Sequence, residues 1–61
     1  MTPRSKNLVA HIETLISLLH AETDPTHVVD LATSIQVMAH EIALIEGNEL
    51  AESIEAEGRH I

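Results

Sequence analysis

Histidine and glutamate are the side chains of this chain best suited to chemistry, because both types can bind a metal ion or transfer a proton. The chain has five His and no Cys, so any metal site must be built from imidazoles and carboxylates. His40-Glu41 begins like the zinc-protease motif His-Glu-x-x-His, but Leu44 occupies the position of the second His ligand. The motif is therefore incomplete and predicts no zinc site.

Glu57 and His60 have the Glu-x-x-His spacing that places two ligands on one helical face in carboxylate-bridged metal bundles. Gly58 lies between them, and glycine weakens a helix interior. We therefore expect this spacing to be a coincidence rather than a metal site. The remaining histidines share no ligand spacing, and we interpret them as structural or solvated residues: His11, His20 and His27.

Nucleophilic catalysis has no better support in the sequence. None of the four serines is flanked by the glycines of a nucleophile elbow: Ser5, Ser17, Ser34 and Ser53. The only glycines are Gly47 and Gly58, so the chain has no glycine-rich phosphate loop. We predict a protein that is not an enzyme, with no catalytic residue, no cofactor and no metal ligand.

The composition favours a folded helical chain with an acidic surface. Apolar residues make up 44% of the sequence, none of them aromatic, and the net charge is −7. Nine of the ten acidic residues follow residue 21, and such a surface repels nucleic-acid phosphates and anionic lipid. We therefore expect neither nucleic acid nor a membrane as a partner, and an RNA-binding bundle is the least favoured function.

The N-terminal region has one feature of a secretion signal. Arg4 and Lys6 precede an apolar stretch, but His11 and Glu13 interrupt that stretch. No apolar run approaches the roughly 20 residues of a membrane span. We expect the protein to be cytoplasmic.

Two long amphipathic helices must carry all of these side chains. Apolar residues recur at helical spacing over residues 3–22 and again over residues 25–46. Between them, Asp24 is a helix cap with Pro25 at the first helical position. So short a connection makes the helices antiparallel neighbours. The sequence predicts one all-α domain over residues 1–61, built on an antiparallel helical hairpin.

The apolar residues of each helix form a stripe that should pack against the other helix, and we call the two stripes together the seam. In the first helix the stripe is Leu8, Ile12, Leu15 and Leu19, widened by Val9 and Ile16. In the second helix it is Val28, Leu31, Ile35, Met38, Ile42 and Ile45. Spacings of three and four residues are typical of a helical core stripe, and over almost three heptads they resemble a coiled-coil seam.

The segment after residue 46 has two interpretations. Gly47 is a preferred residue just past a helix end, and Asn48 is a good cap, so a bend followed by a short helix over residues 49–57 is one reading. The other is a helical extension through Gly47, which would turn Leu50, Ile54 and Ile61 about 110° away from the centre of the seam. We favour the bend.

The second helix has more apolar surface than a single partner helix can cover. The surplus consists of Ala32, Val37, Ala39, Ala43 and Leu44. A continuous apolar band of this kind is typical of a second contact surface. We predict that these residues form an oligomer interface, most simply by joining two hairpins into a four-helix bundle.

The C-terminal segment combines acidic residues with two apolar ones. We predict partner docking through Glu49, Leu50, Glu52, Ile54 and Glu55, with the carboxylates facing a basic protein. The leading hypothesis is a non-enzymatic oligomeric module that binds another protein as a regulator, inhibitor or assembly factor. The alternatives are an acidic decoy for the basic site of a nucleic-acid-binding protein, and a small-ligand or metal-binding helical bundle.

Overall fold

The chain forms a helical hairpin in which two helices pack against each other. The structure, a computed structural model, describes residues 1–58, and over that range it contains no strand. Helix α1 spans Pro3–Ala21 and helix α2 spans Pro25–Gly58. The predicted all-α class and the antiparallel hairpin are therefore confirmed.

The start of α1 is fixed by a threonine cap and a proline. Thr2 has an extended backbone, and its hydroxyl accepts a hydrogen bond from the Ser5 backbone N–H at 3.1 Å. Pro3 occupies the first helical position, where its missing N–H would have had no helical partner in any case. Thr2 is therefore the N-cap of α1.

The turn between the helices is only three residues long, Glu22 to Asp24. The Asp24 carboxylate accepts a hydrogen bond from the Thr26 backbone N–H at 3.0 Å, and its carbonyl accepts one from Val28 at 3.0 Å. Asp24 therefore caps α2 in front of Pro25, as the sequence predicts. Because so few residues separate the helices, α2 must fold back along α1.

The seam lies between the two helices as predicted, but it is only partly covered. All six α2 seam residues and the four main α1 seam residues are half-buried. No apolar side chain in the described part of the chain is fully buried. Two helices alone leave the outer edge of every seam residue in solvent, which is the expected result for a two-helix layer without a second layer over it.

Helix α2 does not end at Gly47, so the favoured bend at this residue is wrong. The helix continues for 34 residues to Gly58, and Gly47 does not have a positive φ angle. A helix C-cap glycine usually adopts the left-handed conformation, whereas here the residues on both sides carry the helical hydrogen-bond ladder through it. The separate short helix over residues 49–57 is therefore the last part of α2.

A long overhang results from the unequal helix lengths. The first turn of α1 lies beside Glu46, and α2 continues past it through residues 47–58, which we call the extension. At 1.5 Å per residue the extension adds about 18 Å of single helix. The molecule is accordingly 56 Å long and only 17 by 12 Å in cross-section.

Candidate interaction surface

Glu46 holds the open end of the hairpin together. Its carboxylate accepts hydrogen bonds from the Ser5 hydroxyl at 2.8 Å and the Thr2 backbone N–H at 3.2 Å. The amino group of Met1 lies 3.6 Å from the same carboxylate. The Ser5 side chain is completely buried, so its hydroxyl depends on Glu46 as acceptor and on the Thr2 hydroxyl as donor. This cluster sets the register of α1 on α2.

The same contacts change the acidity of Glu46. The hydrogen bonds from the Thr2 backbone and the Ser5 hydroxyl, helped by the nearby amino terminus, hold the pKa of this carboxyl below its ordinary value of 4.5. They do so because each donor stabilises the ionised form. Glu46 is therefore an ionised structural residue and not part of the free acidic surface.

At the opposite end, Glu22 organises the turn. Its carboxylate accepts hydrogen bonds from the backbone N–H groups of Thr23 and Asp24, both at 3.0 Å, and these bonds lower its pKa. His27 lies 3.4 Å from Glu22 and 3.9 Å from Asp24. The two carboxylates thus fix the backbone of the turn and attract the imidazole when it is protonated.

An open groove of about 360 Å³ lies next to this turn. It is lined by Leu18, Ala21, Glu22, His27, Asp30 and Leu31. Over residues 1–58, no group of three or more His, Asp or Glu side chains is arranged to hold a metal ion. The pairing of Glu57 with His60, like the position of Ile61, lies outside the described residues.

The residues predicted for the oligomer interface are all exposed, but they lie on two different sides of α2. Ala32, Ala39 and Ala43 lie together about 90° from the centre of the seam. Val37 and Leu44, which are 61% and 57% exposed, lie on another side, more than about 100° from the alanines. One flat partner surface cannot cover both groups, so the predicted interface consists of two surfaces.

The extension adds two large apolar residues to the side of α2 that carries the alanines, and none to the side that carries Val37 and Leu44. Leu50 and Ile54 are 62% and 60% exposed. Because α2 continues unbroken, helical spacing places them in line with the alanines and with exposed Val29. We call this row the α2 strip; it consists of Val29, Ala32, Ala39, Ala43, Leu50 and Ile54.

Three of the four glutamates of the extension lie on its other sides, whereas Glu57 lies on the side of the α2 strip. Glu49, Glu52 and Glu55 are all exposed, and their threefold spacing moves each carboxylate back about 60° around the helix. They therefore wrap around the side of the helix that the α2 strip leaves free. The residues predicted for docking thus form an apolar edge and an acidic back on one helix.

The polar contacts across the hairpin were missed in the sequence analysis. They are the contacts of Glu46 with Ser5, Thr2 and Met1, and an ion pair between Arg4 and Glu41. Their signal was present: once Asp24 fixes the turn, antiparallel pairing brings residues near 4 and 5 close to residues in the forties.

By length and composition, α2 could also cross a membrane. Its most apolar 18-residue window has a mean hydropathy of 1.4, and no residue of that window is fully buried in the hairpin. A core helix of a soluble protein can pass the same test.

The comparisons with known proteins add no relatives to this description. No protein-family model, curated protein or solved structure matches the chain.

Proposed function

We propose that this protein is a non-enzymatic helical module that assembles with itself and binds another protein. The observation that carries this proposal is the lack of any fully buried apolar side chain in the described part of a chain whose sequence is 44% apolar. A domain of this size gains little stability from one core and commonly relies on a partner subunit. Burial of the half-covered seam and the exposed large residues would supply that stability.

The acidic extension supports the second part of the proposal. The extension projects beyond α1, so a partner can approach it from most directions. Glu49 and Glu52 are exposed there, and the chain as a whole carries a charge of −7. Charges of one sign accelerate association with a surface of opposite sign and suppress binding to surfaces of the same sign. A protein with a basic surface is therefore the partner class that fits best.

Protein docking suits the extension better than a nucleic-acid decoy. A decoy needs carboxylates in one row, at distances that imitate phosphates along a strand. Glu49, Glu52 and Glu55 instead turn about 60° from one to the next. Their arrangement around a helix with one apolar edge is that of an amphipathic docking helix.

As part of the same proposal, we place the module in the cytoplasm with α2 in water. A bilayer-spanning α2 would bury Asp30 and Glu41 in its most apolar stretch, and Glu41 pairs with Arg4 in the hairpin. Ionisable residues at the bilayer centre cost at least about 2.5–3.5 kcal/mol each. A bilayer-spanning α2 would also separate the apolar stripe of α1 from α2, which is its only packing partner among the described residues.

The experiment begins with capture of bound protein from an extract of the native host, followed by kinetics with the purified partner. Replacing Glu49, Glu52 and Glu55 by Gln should leave the helix content unchanged. The triple variant should associate more slowly and lose the salt dependence of its on-rate. The matched control replaces Leu50 and Ile54 by Ala, which keeps every charge and removes apolar area instead.

Two results would contradict this function. One is a captured partner whose on-rate is the same for the wild type and the triple Gln variant at low salt. The other is a chain lacking residues 48–61 that retains both its assembly and its partner. In that case the extension is a solvated helix end, and the two hairpin faces are the remaining binding surfaces.

A further inference from the structure

We propose that a second copy of this chain docks antiparallel along the α2 strip, so that the extension of each copy covers the turn end of the other. The inference rests on the proposed self-assembly and goes further by naming the face, the direction and the register. In this arrangement Ala39 and Ala43 lie at the crossing point of the two α2 helices.

The α2 strip is a continuous apolar edge that α1 does not cover. Gln36 and Gly47 occupy the two positions that are missing between its members. With these two included, successive residues of the row are three or four positions apart. From Val29 to Ile54 it runs for about 38 Å. Every member is exposed in the hairpin. At its centre, Ala39, Ala43 and Gly47 are small, which lets a second helix approach closely there.

Helix α1 adds apolar residues on the same side of the hairpin. The ion pair between Arg4 and Glu41 marks one side of the seam. At about 100° per residue, Val9 and Ile16 lie on the opposite side of α1, and the α2 strip lies on the opposite side of α2. The face that carries the α2 strip is therefore bordered by Val9 and the exposed Ile16. The other face is bordered by the Arg4–Glu41 pair.

The sizes of the side chains select the antiparallel register. With Ala39 opposite Ala43 of the second copy, Ala32 comes opposite Leu50, and Val29 comes within one residue of Ile54. Each large residue of the extension then meets the turn end of the hairpin, where the face is two helices wide and includes Ile16. A parallel pair would leave each extension with only the other extension to cover it, because α1 does not reach that far.

Charge selects the same direction. The extension, residues 47–58, carries four glutamates and no lysine or arginine. A parallel pair places these two acidic segments side by side. The antiparallel pair, with Ala39 opposite Ala43, places each of them along residues 24–35 of the other copy, which contain two acids, Asp24 and Asp30, and also His27. Separation of like charges therefore favours the antiparallel pair.

The arrangement assigns the two sides of the extension to different partners. Leu50 and Ile54 face the second copy. Glu49 and Glu52 lie on the sides turned away from the α2 strip, where they stay in solvent and available to a basic protein. Self-assembly and partner docking can then occur together.

The first test compares two single charge insertions on α2. Ala39→Glu places a carboxylate at the crossing point, whereas the matched control Val37→Glu places one on another side of the same helix turn. Both sites are exposed, and Glu is a good helix former, so the hairpin should persist in each variant. By light scattering, Ala39→Glu should raise the dimer Kd at least about tenfold, and Val37→Glu should leave it within about twofold.

The second test uses disulfides to read the register. The natural chain has no cysteine, so introduced cysteines report only on their own positions. A mixture of Ala32→Cys and Leu50→Cys chains should oxidise to the mixed disulfide, identified by its mass. Leu50→Cys alone should remain uncrosslinked, because its Cα atoms are then far beyond the roughly 4.4–6.8 Å that a disulfide spans. A mixture of Val37→Cys and Leu44→Cys chains serves as the control and should also remain uncrosslinked.

The outcomes separate this inference from the function on which it rests. A mass equal to one chain at about 100 μM would overturn both self-assembly and its register. A dimer that crosslinks through Leu50→Cys alone, or through Val37→Cys with Leu44→Cys, would overturn the register and leave self-assembly standing. A dimer weakened by Val37→Glu and not by Ala39→Glu would likewise overturn the register and leave self-assembly standing.

Discussion

Single side chains fix both ends of this hairpin. At the turn, Glu22 and Asp24 satisfy backbone N–H groups that the helices leave without partners. At the open end, Glu46 accepts hydrogen bonds from Ser5 and Thr2 of the other helix. The seam residues between these ends are apolar and adaptable, so they tolerate a shift along the helix axis that the polar contacts do not. The register of the hairpin therefore depends on a few polar atoms.

The contact at Glu46 predicts a pH-dependent contribution to stability. Because its pKa is lower in the hairpin than the ordinary value of 4.5, the ionised carboxylate stabilises the folded state above that pH. The contribution disappears as the pH falls through the lowered folded value. We expect the wild type to be more stable than Glu46→Gln at neutral pH and the difference to shrink in acid. Urea unfolding at a fixed protein concentration and several pH values measures it.

The control for this experiment is Ser5→Ala. This variant removes the hydroxyl that favours the ionised Glu46, so in its background the Glu46→Gln change should have a smaller pH-dependent effect. A difference between wild type and Glu46→Gln that is the same at every pH would show that the carboxylate acts only through its shape.

Asp24 gives a second test at the level of one side chain. Asp24→Ala removes the acceptor for the Thr26 N–H at the start of α2 and should cost about 0.5–2 kcal/mol of unfolding free energy. Asp24→Asn keeps a capping oxygen and should cost much less. Chemical denaturation of both variants measures the two losses. Equal losses would mean that the charge near His27, and not the cap, is what matters.

The two helices were predictable from the sequence because their signals are local and agree with one another. Three- and four-residue apolar spacing defines the seam, and Asp24-Pro25 defines the turn. Gly47-Asn48 was misleading because the same residue pair ends many helices. Here, good helix formers and acidic residues on both sides continue the ladder, and one glycine costs only about 1 kcal/mol in a helix interior.

Because α2 is continuous at Gly47, it predicts whether replacing this glycine raises or lowers the stability of the chain. A Cβ atom added there would have nothing within 4 Å, and the backbone does not have a positive φ angle. Gly47→Ala should therefore stabilise the chain by about 0.5–1 kcal/mol and should not reduce the helix content. Circular dichroism and urea unfolding measure both quantities. A loss of stability would indicate that the chain bends at this residue after all.

The seam predicts a contrast between neighbouring residues of α2. Ile35→Ala should cost about 2 kcal/mol, the low end for core truncation, because Ile35 is only half-buried in the hairpin. Val37→Ala should cost far less, since Val37 is 61% exposed. Unfolding free energies at low protein concentration make the comparison. Equal losses at the two positions would contradict the packing of α1 against the side of α2 that carries Ile35.

At the scale of the whole molecule, the candidate interface was predictable only in pieces. The sequence indicates the alanines and the pair Leu50 and Ile54 as separate features. They join into one surface only if α2 is continuous, because a bend at Gly47 would point the last residues elsewhere. A single backbone conformation therefore decides whether the chain has two small apolar patches or one long strip.

Self-assembly gives the whole molecule a concentration-dependent stability. If the folded chain is held in an oligomer, mass action raises Tm as the protein concentration increases. Thermal unfolding over a hundredfold concentration range should therefore show a steady rise in Tm. The Ala39→Glu variant should show a smaller rise, and a constant Tm for the wild type would contradict oligomerisation.

The overhang of α2 also determines how the molecule moves through solution. The radius of gyration of the chain is 16.0 Å, whereas a compact domain of 61 residues would have about 10–11 Å. A single hairpin is thus a rod that tumbles and diffuses like a much heavier sphere, and it should leave a gel-filtration column early. Antiparallel docking would thicken this rod far more than it lengthens it. Dimerisation should therefore double the scattering mass while changing the elution volume less than a doubling of mass would suggest.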